Sequence, residues 1–78
     1  MKDLLKNNIN KIHTTILGVN RIKKNLKIDC DVIDYCKKII LNNKSTVIKN
    51  GKNYYITYEN IIITINSYSY TIITAKTI

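Results

Sequence analysis

The stretch STVIKNGKNYYITYENIIITI, residues 45–65, decides the fold. It is dense in Val, Ile, Thr and Tyr, the residues that fit a pleated, half-buried surface. Two short polar interruptions cut it. Asn50-Gly51 is the strongest short hairpin signal, because both residue types tolerate positive φ. Glu59-Asn60 is a second short turn, with asparagine able to take positive φ. The spacing predicts strands over 45–49, 53–58 and 61–65, each antiparallel to the next. Next comes NSYSYT, 66–71, six side chains in a row that carry an amide or a hydroxyl. It reads as the next hairpin tip and its exit, into a fourth strand over 70–76, YTIITAK.

Strand side chains alternate between faces. With Ile61, Ile63 and Ile65 turned toward a core, Ile62, Thr64 and Asn66 turn away. Tyr55, Thr57, Ile72 and Thr74 are the expected companions on that outer face. Either register leaves apolar bulk on both faces. The second face is therefore expected to be partly covered, by a partner, a second copy or the chain termini.

Upstream of residue 45 the period changes to that of a helix. Leu5, Ile9 and Ile12 share one face of a helix over 3–13, and Asp3 suits its positive end. His13-Thr14-Thr15 interrupts. Thr14 or Thr15 can cap a second helix, 15–26, on which Ile16, Val19, Ile22 and Leu26 share a face. Gly18 inside it costs about 1 kcal/mol against alanine, so a close helix crossing or a break is expected there. Asp29 is the expected cap of a third helix, 30–42, with Val32, Ile33, Cys36, Ile39 and Ile40 as its apolar stripe. Asp34 and Lys38 form an i,i+4 pair on its other side. The predicted architecture is α+β: three N-terminal helices packed on one face of a four-stranded antiparallel β-meander. A chain of 78 residues holds a single domain, 1–78, with a thin core.

Two cysteines are too few for a disulfide framework. Six residues apart on one helix, Cys30 and Cys36 would be separated by about 9 Å and point in different directions, out of disulfide reach. There is no C-x-x-C, and the one histidine is distant, so no metal site and no cofactor is expected. Two unpaired thiols, no signal-peptide pattern and no apolar run near ~20 residues point to a cytoplasmic protein that does not enter membranes.

The net charge is +8, from 13 basic and 5 acidic residues. Part of this reflects a composition rich in Lys, Asn and Ile, as an AT-rich genome favours. The charge is also clustered: RIKKNLK, 21–27, holds Arg21, Lys23, Lys24 and Lys27 with no acid between them. A cationic helix face is what phosphate binding needs, because several charges then release counterions together. A solvated helix face would look the same. All aromatic residues are tyrosine, six in number, with no Phe or Trp. Five lie in the strand region. Tyrosine on an open sheet can stack on unpaired bases, serve protein contacts, or reflect β-propensity. The expected nucleic-acid-binding set is Arg21, Lys23, Lys24, Lys27, Tyr55, Tyr68 and Tyr70, with RNA favoured over DNA.

No catalytic residue is assigned. His13 at a helix junction is first a cap or packing residue. It can also act as a general acid or base, and Ser69, Thr71 or Thr74 could supply hydroxyls beside it for metal-independent RNA cleavage. The chain has no Gly-rich phosphate loop, no paired carboxylates and no G-x-S-x-G, which disfavours a metal-dependent nuclease.

Four strings, IHTTILGVNRIKKNL (12–26), DVIDYCKKII (31–40), GKNYYIT (51–57) and INSYSYTIITAK (65–76), resemble a family of small, uncharacterised bacterial proteins of unknown function. The shared pattern is H-T-T-x-L-G-x-x-R-I-x-x-N-L followed by S-Y-T-I-I-T-A. In that family tryptophan often stands at the positions of Tyr35 and Tyr54, and histidine at that of Lys76. The resemblance implies a compact domain and no particular activity. The topology is more loosely similar to RelE- and barnase-like small ribonucleases. Three readings follow. The first is a nucleic-acid binder. The second is an interaction protein: a phage or mobile-element inhibitor of a host defence nuclease, like an anti-CRISPR protein acting on a protein–RNA complex, or a homodimer formed through the outer sheet face. The third is a metal-independent ribonuclease.

Overall fold

Side-chain caps set where the two longer helices begin. The Thr15 hydroxyl accepts from the Gly18 N–H at 3.0 Å, and α2 runs Ile16–Leu26. The Asp31 carboxylate accepts from the Asp34 N–H at 2.9 Å, and α3 runs Val32–Leu41. The cap is therefore Asp31 and not the expected Asp29, and Cys30 precedes the helix rather than lying in it. These coordinates are a computed structural model that describes residues 2–78. It is an α+β fold with three helices N-terminal to a four-stranded antiparallel sheet.

The predicted first helix over 3–13 is shorter. α1 covers Lys2–Asn7, and a separate 3₁₀ turn covers Ile9–Lys11. Asn8 makes the break. Its side-chain amide donates to the Leu4 carbonyl at 2.8 Å, and its backbone leaves the helical region. A residue that bonds its own preceding turn competes with the ladder. Gly18 has a local cause rather than a helix crossing. A Cβ there would overlap the Thr14 hydroxyl and crowd the capping Thr15 hydroxyl. α2 ends on Lys27 at φ 56°, whose N–H donates to the Lys23 carbonyl. Lys38 and Asp34 pair at 3.3 Å on the exposed side of α3.

The strands are β1 Thr46–Asn50, β2 Asn53–Tyr58, β3 Ile61–Asn66 and β4 Ile72–Thr77, in spatial order β1-β2-β3-β4. Asn50 pairs with Asn53, so Gly51 and Lys52 are the two turn residues. Gly51 takes φ 62° at the first of them, as a type II′ turn requires. Tyr58 pairs with Ile61, and in that turn Glu59 holds the positive φ, 53°, not Asn60 as expected.

One buried cluster joins helices to sheet: Leu5, Ile12, Ile22, Val32, Cys36, Ile39 and Ile40 with Tyr54, Ile56, Ile63, Ile65, Ile72 and Ala75. Ile72 was expected on the outer face and is 1% exposed in this core. A bulge between Thr64 and Ile65 is the reason: Thr74 pairs with Thr64, but Ile72 pairs with Ile65 and shares its side. Tyr54 is also buried. Burial pushes its hydroxyl pKa up, helped by the neighbouring Tyr70 hydroxyl to which it is hydrogen-bonded. Among the described residues, no helix is long and apolar enough to cross a membrane.

Candidate functional site

The β3–β4 connection, 67–71, follows Asn66, the last residue of β3. The Asn66 side-chain oxygen accepts from the Tyr68 N–H at 2.9 Å, the Ser69 N–H at 3.0 Å and the Ser69 hydroxyl at 3.3 Å. One short side chain thus organises the loop, as Asn does in Asx turns. The Ser67 N–H donates to the Lys52 carbonyl at 2.7 Å, tying the loop to the β1–β2 turn. Tyr70 then takes φ 58°, the left-handed region, which is costly for a residue with a Cβ. Its N–H bonds back to the Asn66 carbonyl at 2.9 Å. Its ring packs against the core with the Lys11 ammonium 5.8 Å from the ring centroid.

The loop docks on His13. The His13 N–H donates to the Tyr70 carbonyl at 3.2 Å, and the Ile72 N–H donates to the His13 carbonyl at 2.7 Å. The Thr14 hydroxyl adds a bond to the Ile72 carbonyl at 2.9 Å, and the Asn25 side chain reaches the Ala75 carbonyl at 3.4 Å. The free edge of β4 is covered in this way by 13–25. On the solvent side, His13 Nδ1 lies 2.8 Å from the Lys11 carbonyl and Nε2 lies 3.1 Å from Thr71 Oγ1. Thr71 Oγ1 is in turn 2.8 Å from Ser69 Oγ. Three of the four catalytic candidates, His13, Thr71 and Ser69, therefore meet. Thr74 does not: it pairs with Thr64 on the sheet face opposite Ile63 and Ile65. The group sits at an open surface, with no cleft among the described residues. Lys11 and Asn66 belong to it and escaped the sequence reading, although Asn-x-x-Ser in a predicted turn is the signal that points to Asn66.

Arg21, Lys23 and Lys24 lie on α2, and Lys27 is its C-cap. Arg21, Lys24 and Lys27 are exposed and Lys23 is half-buried. Arg21 and Lys24 lie on neighbouring turns of the helix, and Lys27 follows its last residue with a left-handed backbone. No carboxylate pairs with any of the four among the described residues, where the ion pair is Lys38–Asp34. Lys23 and Lys24 occupy the last turn of α2, where the negative end of the helix dipole favours cations. Exposed Ile16 and Leu17 precede them on the same helix.

The tyrosines do not converge with this set as one surface. Tyr68 stands 74% exposed in the β3–β4 loop. Tyr70 is turned to the core. Tyr55 alternates with buried Tyr54 and Ile56, pairs with Ile48 and Thr64, and so faces away from the side that Ile22 of α2 helps to bury. Around Tyr55 that outer face carries Ile48, 63% exposed, and half-buried Thr57 and Ile62. Cys30 is exposed and free, and Cys36 is buried and free. Among the described residues no three His, Cys, Asp or Glu side chains gather as metal ligands would.

Neither a curated protein nor a solved structure matches this chain. One family model does, over residues 6–76, and its description is a protein of unknown function, DUF3781. The match spans the His13 junction, α2 and the whole sheet up to Lys76, as the four quoted strings led one to expect. The chain belongs to the DUF3781 family.

Proposed function

We propose that this protein binds single-stranded RNA through the outward flank of α2. The observation that carries this is the state of Arg21, Lys23, Lys24 and Lys27: four cations within seven residues, three exposed, none paired with a carboxylate among the described residues. Cations left unneutralised at a surface attract phosphates and release their counterions on contact. Tyr68, exposed in the β3–β4 loop, is the stacking side chain of this reading. Tyr70 contributes through loop geometry rather than stacking. Tyr55 belongs to a different surface. Two free thiols fit a reducing, cytoplasmic setting. An electrophoretic shift with single-stranded RNA at two salt concentrations tests the reading. A shift at low salt that weakens at high salt supports it, and no shift at low salt removes it.

The outer sheet face favours a second reading, an interaction protein. We infer that the helices cover one side of the sheet only, because the buried strand residues share a side with the buried helix residues. Ile48, Tyr55 and Ile62 are then left as an apolar strip for a second copy or for a protein–RNA complex that the chain would inhibit. Light scattering behind a sizing column separates the cases. A dimer lost on Ile48→Lys supports the homodimer, and a monomer at high concentration excludes it. The meeting of His13, Thr71 and Ser69 favours the third reading, a metal-independent ribonuclease. RNA cleavage in EDTA that disappears in His13→Ala supports it.

A further inference from the structure

The hydroxyl chain beside the β3–β4 loop has an acceptor at each end. His13 Nδ1 faces the Lys11 carbonyl at 2.8 Å. A carbonyl only accepts, so Nδ1 carries the proton and Nε2 of the neutral ring is a lone pair. Thr71 Oγ1, 3.1 Å away, donates into it. At the far end the Asn66 side-chain oxygen lies 3.3 Å from Ser69 Oγ. Between the ends, Thr71 Oγ1 and Ser69 Oγ are 2.8 Å apart, and either can donate.

The same heavy-atom positions therefore support two proton arrangements. In the first, Ser69 donates to Thr71 and Thr71 to His13 Nε2. In the second, Thr71 donates to Ser69 and Ser69 to Asn66, so Nε2 receives no proton and its lone pair opens once the Thr71 side chain turns aside. Each arrangement keeps both hydroxyl protons bonded, so the reversal sacrifices no hydrogen bond within the chain. His13 is exposed, and an outside O–H can take up the vacated lone pair. The loop itself does not need the side-chain link, because backbone bonds hold His13 to Tyr70 and Ile72.

We propose that the Thr71 hydroxyl is an internal stand-in for a ligand hydroxyl at His13 Nε2, and that this ligand is a ribose 2′-hydroxyl of RNA. The proposal rests on the RNA reading above and gives it a source of selectivity. His13 lies just before α2, and the helix from Ile16 to Lys24 is about 12 Å long. A strand gripped by the cations near one end of α2 passes the hydroxyl chain at the other. The 2′-hydroxyl is the group that distinguishes RNA from DNA, and it is a donor as well as an acceptor.

Fluorescence anisotropy with labelled RNA, DNA and 2′-O-methyl RNA of one sequence provides the test. The wild type is expected to bind RNA about two- to tenfold tighter than DNA, the worth of one net hydrogen bond. The 2′-O-methyl strand, which has no donor, should behave as DNA does. His13→Ala should bring the RNA to DNA ratio to about one. Thr71→Ala removes the internal competitor together with the atom in front of Nε2, so it should retain or raise the ratio. A purely structural clip would suffer equally from both changes. Equal binding of RNA and DNA by the wild type overturns the proposal and leaves the RNA-binding reading standing. A Thr71→Ala ratio that falls to one along with His13→Ala also overturns it. Absence of binding to any strand sinks both.

Discussion

Gly18 shows how one residue is fixed by its neighbours. In an ordinary helix interior, Gly→Ala gains about 1 kcal/mol. Here the new methyl meets the Thr14 hydroxyl, itself held on the Ile72 carbonyl, and the capping Thr15. Overpacking of this kind costs about 1–3 kcal/mol. Urea unfolding should therefore show Gly18→Ala to be less stable than the wild type, with Thr14→Ala in the same chain recovering part of the loss. A stabilised Gly18→Ala would refute the account of α2's first turn. The cysteines differ just as sharply. Burial, and then the charge of nearby Cys30, push the Cys36 thiol from 9.0 up to about 12. Between those values the unfolded chain ionises this thiol and the folded chain does not, so stability must fall as pH rises from 9 toward 12. Denaturation midpoints across that window should drop less steeply in Cys36→Ala than in the wild type. Equal slopes would mean that Cys36 ionises freely in the folded state.

At the scale of elements, the turns hold the least comfortable backbone. Glu59 sits at φ 53° in the β2–β3 turn, where a Cβ is unfavourable. Glu59→Gly should therefore stabilise the protein by about 1 kcal/mol, read as a higher urea midpoint. A lower midpoint would show that the Glu59 side chain contributes more than the strain it carries. The same turns mark how far the sequence could be read. Strand existence and the two short hairpins were legible, because β-branched runs and Asn-Gly are local signals. Ile72 was not, because its side depends on a bulge that only pairing with β3 reveals. The first helix is shorter than expected because Leu5, Ile9 and Ile12 keep helical spacing across a helix break made by the Asn8 side chain. Asp29 and Asp31 are both good caps by type, and the Asp34 N–H decides between them.

For the whole molecule, two features carry the proposed function, and they differ in legibility. Clustering of Arg21, Lys23, Lys24 and Lys27 could be read directly, since helical spacing and the lack of nearby acids are in the sequence. The meeting of His13 with Thr71 could not, because it joins residues 58 apart through a parallel bridge that no local pattern announces. The tyrosines fell between these cases. Their abundance was visible, but alternation along β2 separates Tyr54 from Tyr55, and the left-handed backbone at Tyr70 turns its ring to the core. The salt dependence of RNA affinity tests most directly the proposed grip of the α2 flank on a polyanion. For four phosphate contacts to a single strand, the logarithm of the binding constant should fall with the logarithm of salt concentration at a slope of about −2.8. A variant with all four cations changed to glutamine should lose most of that slope. An unchanged slope in the variant, or an affinity indifferent to salt in the wild type, would contradict the account.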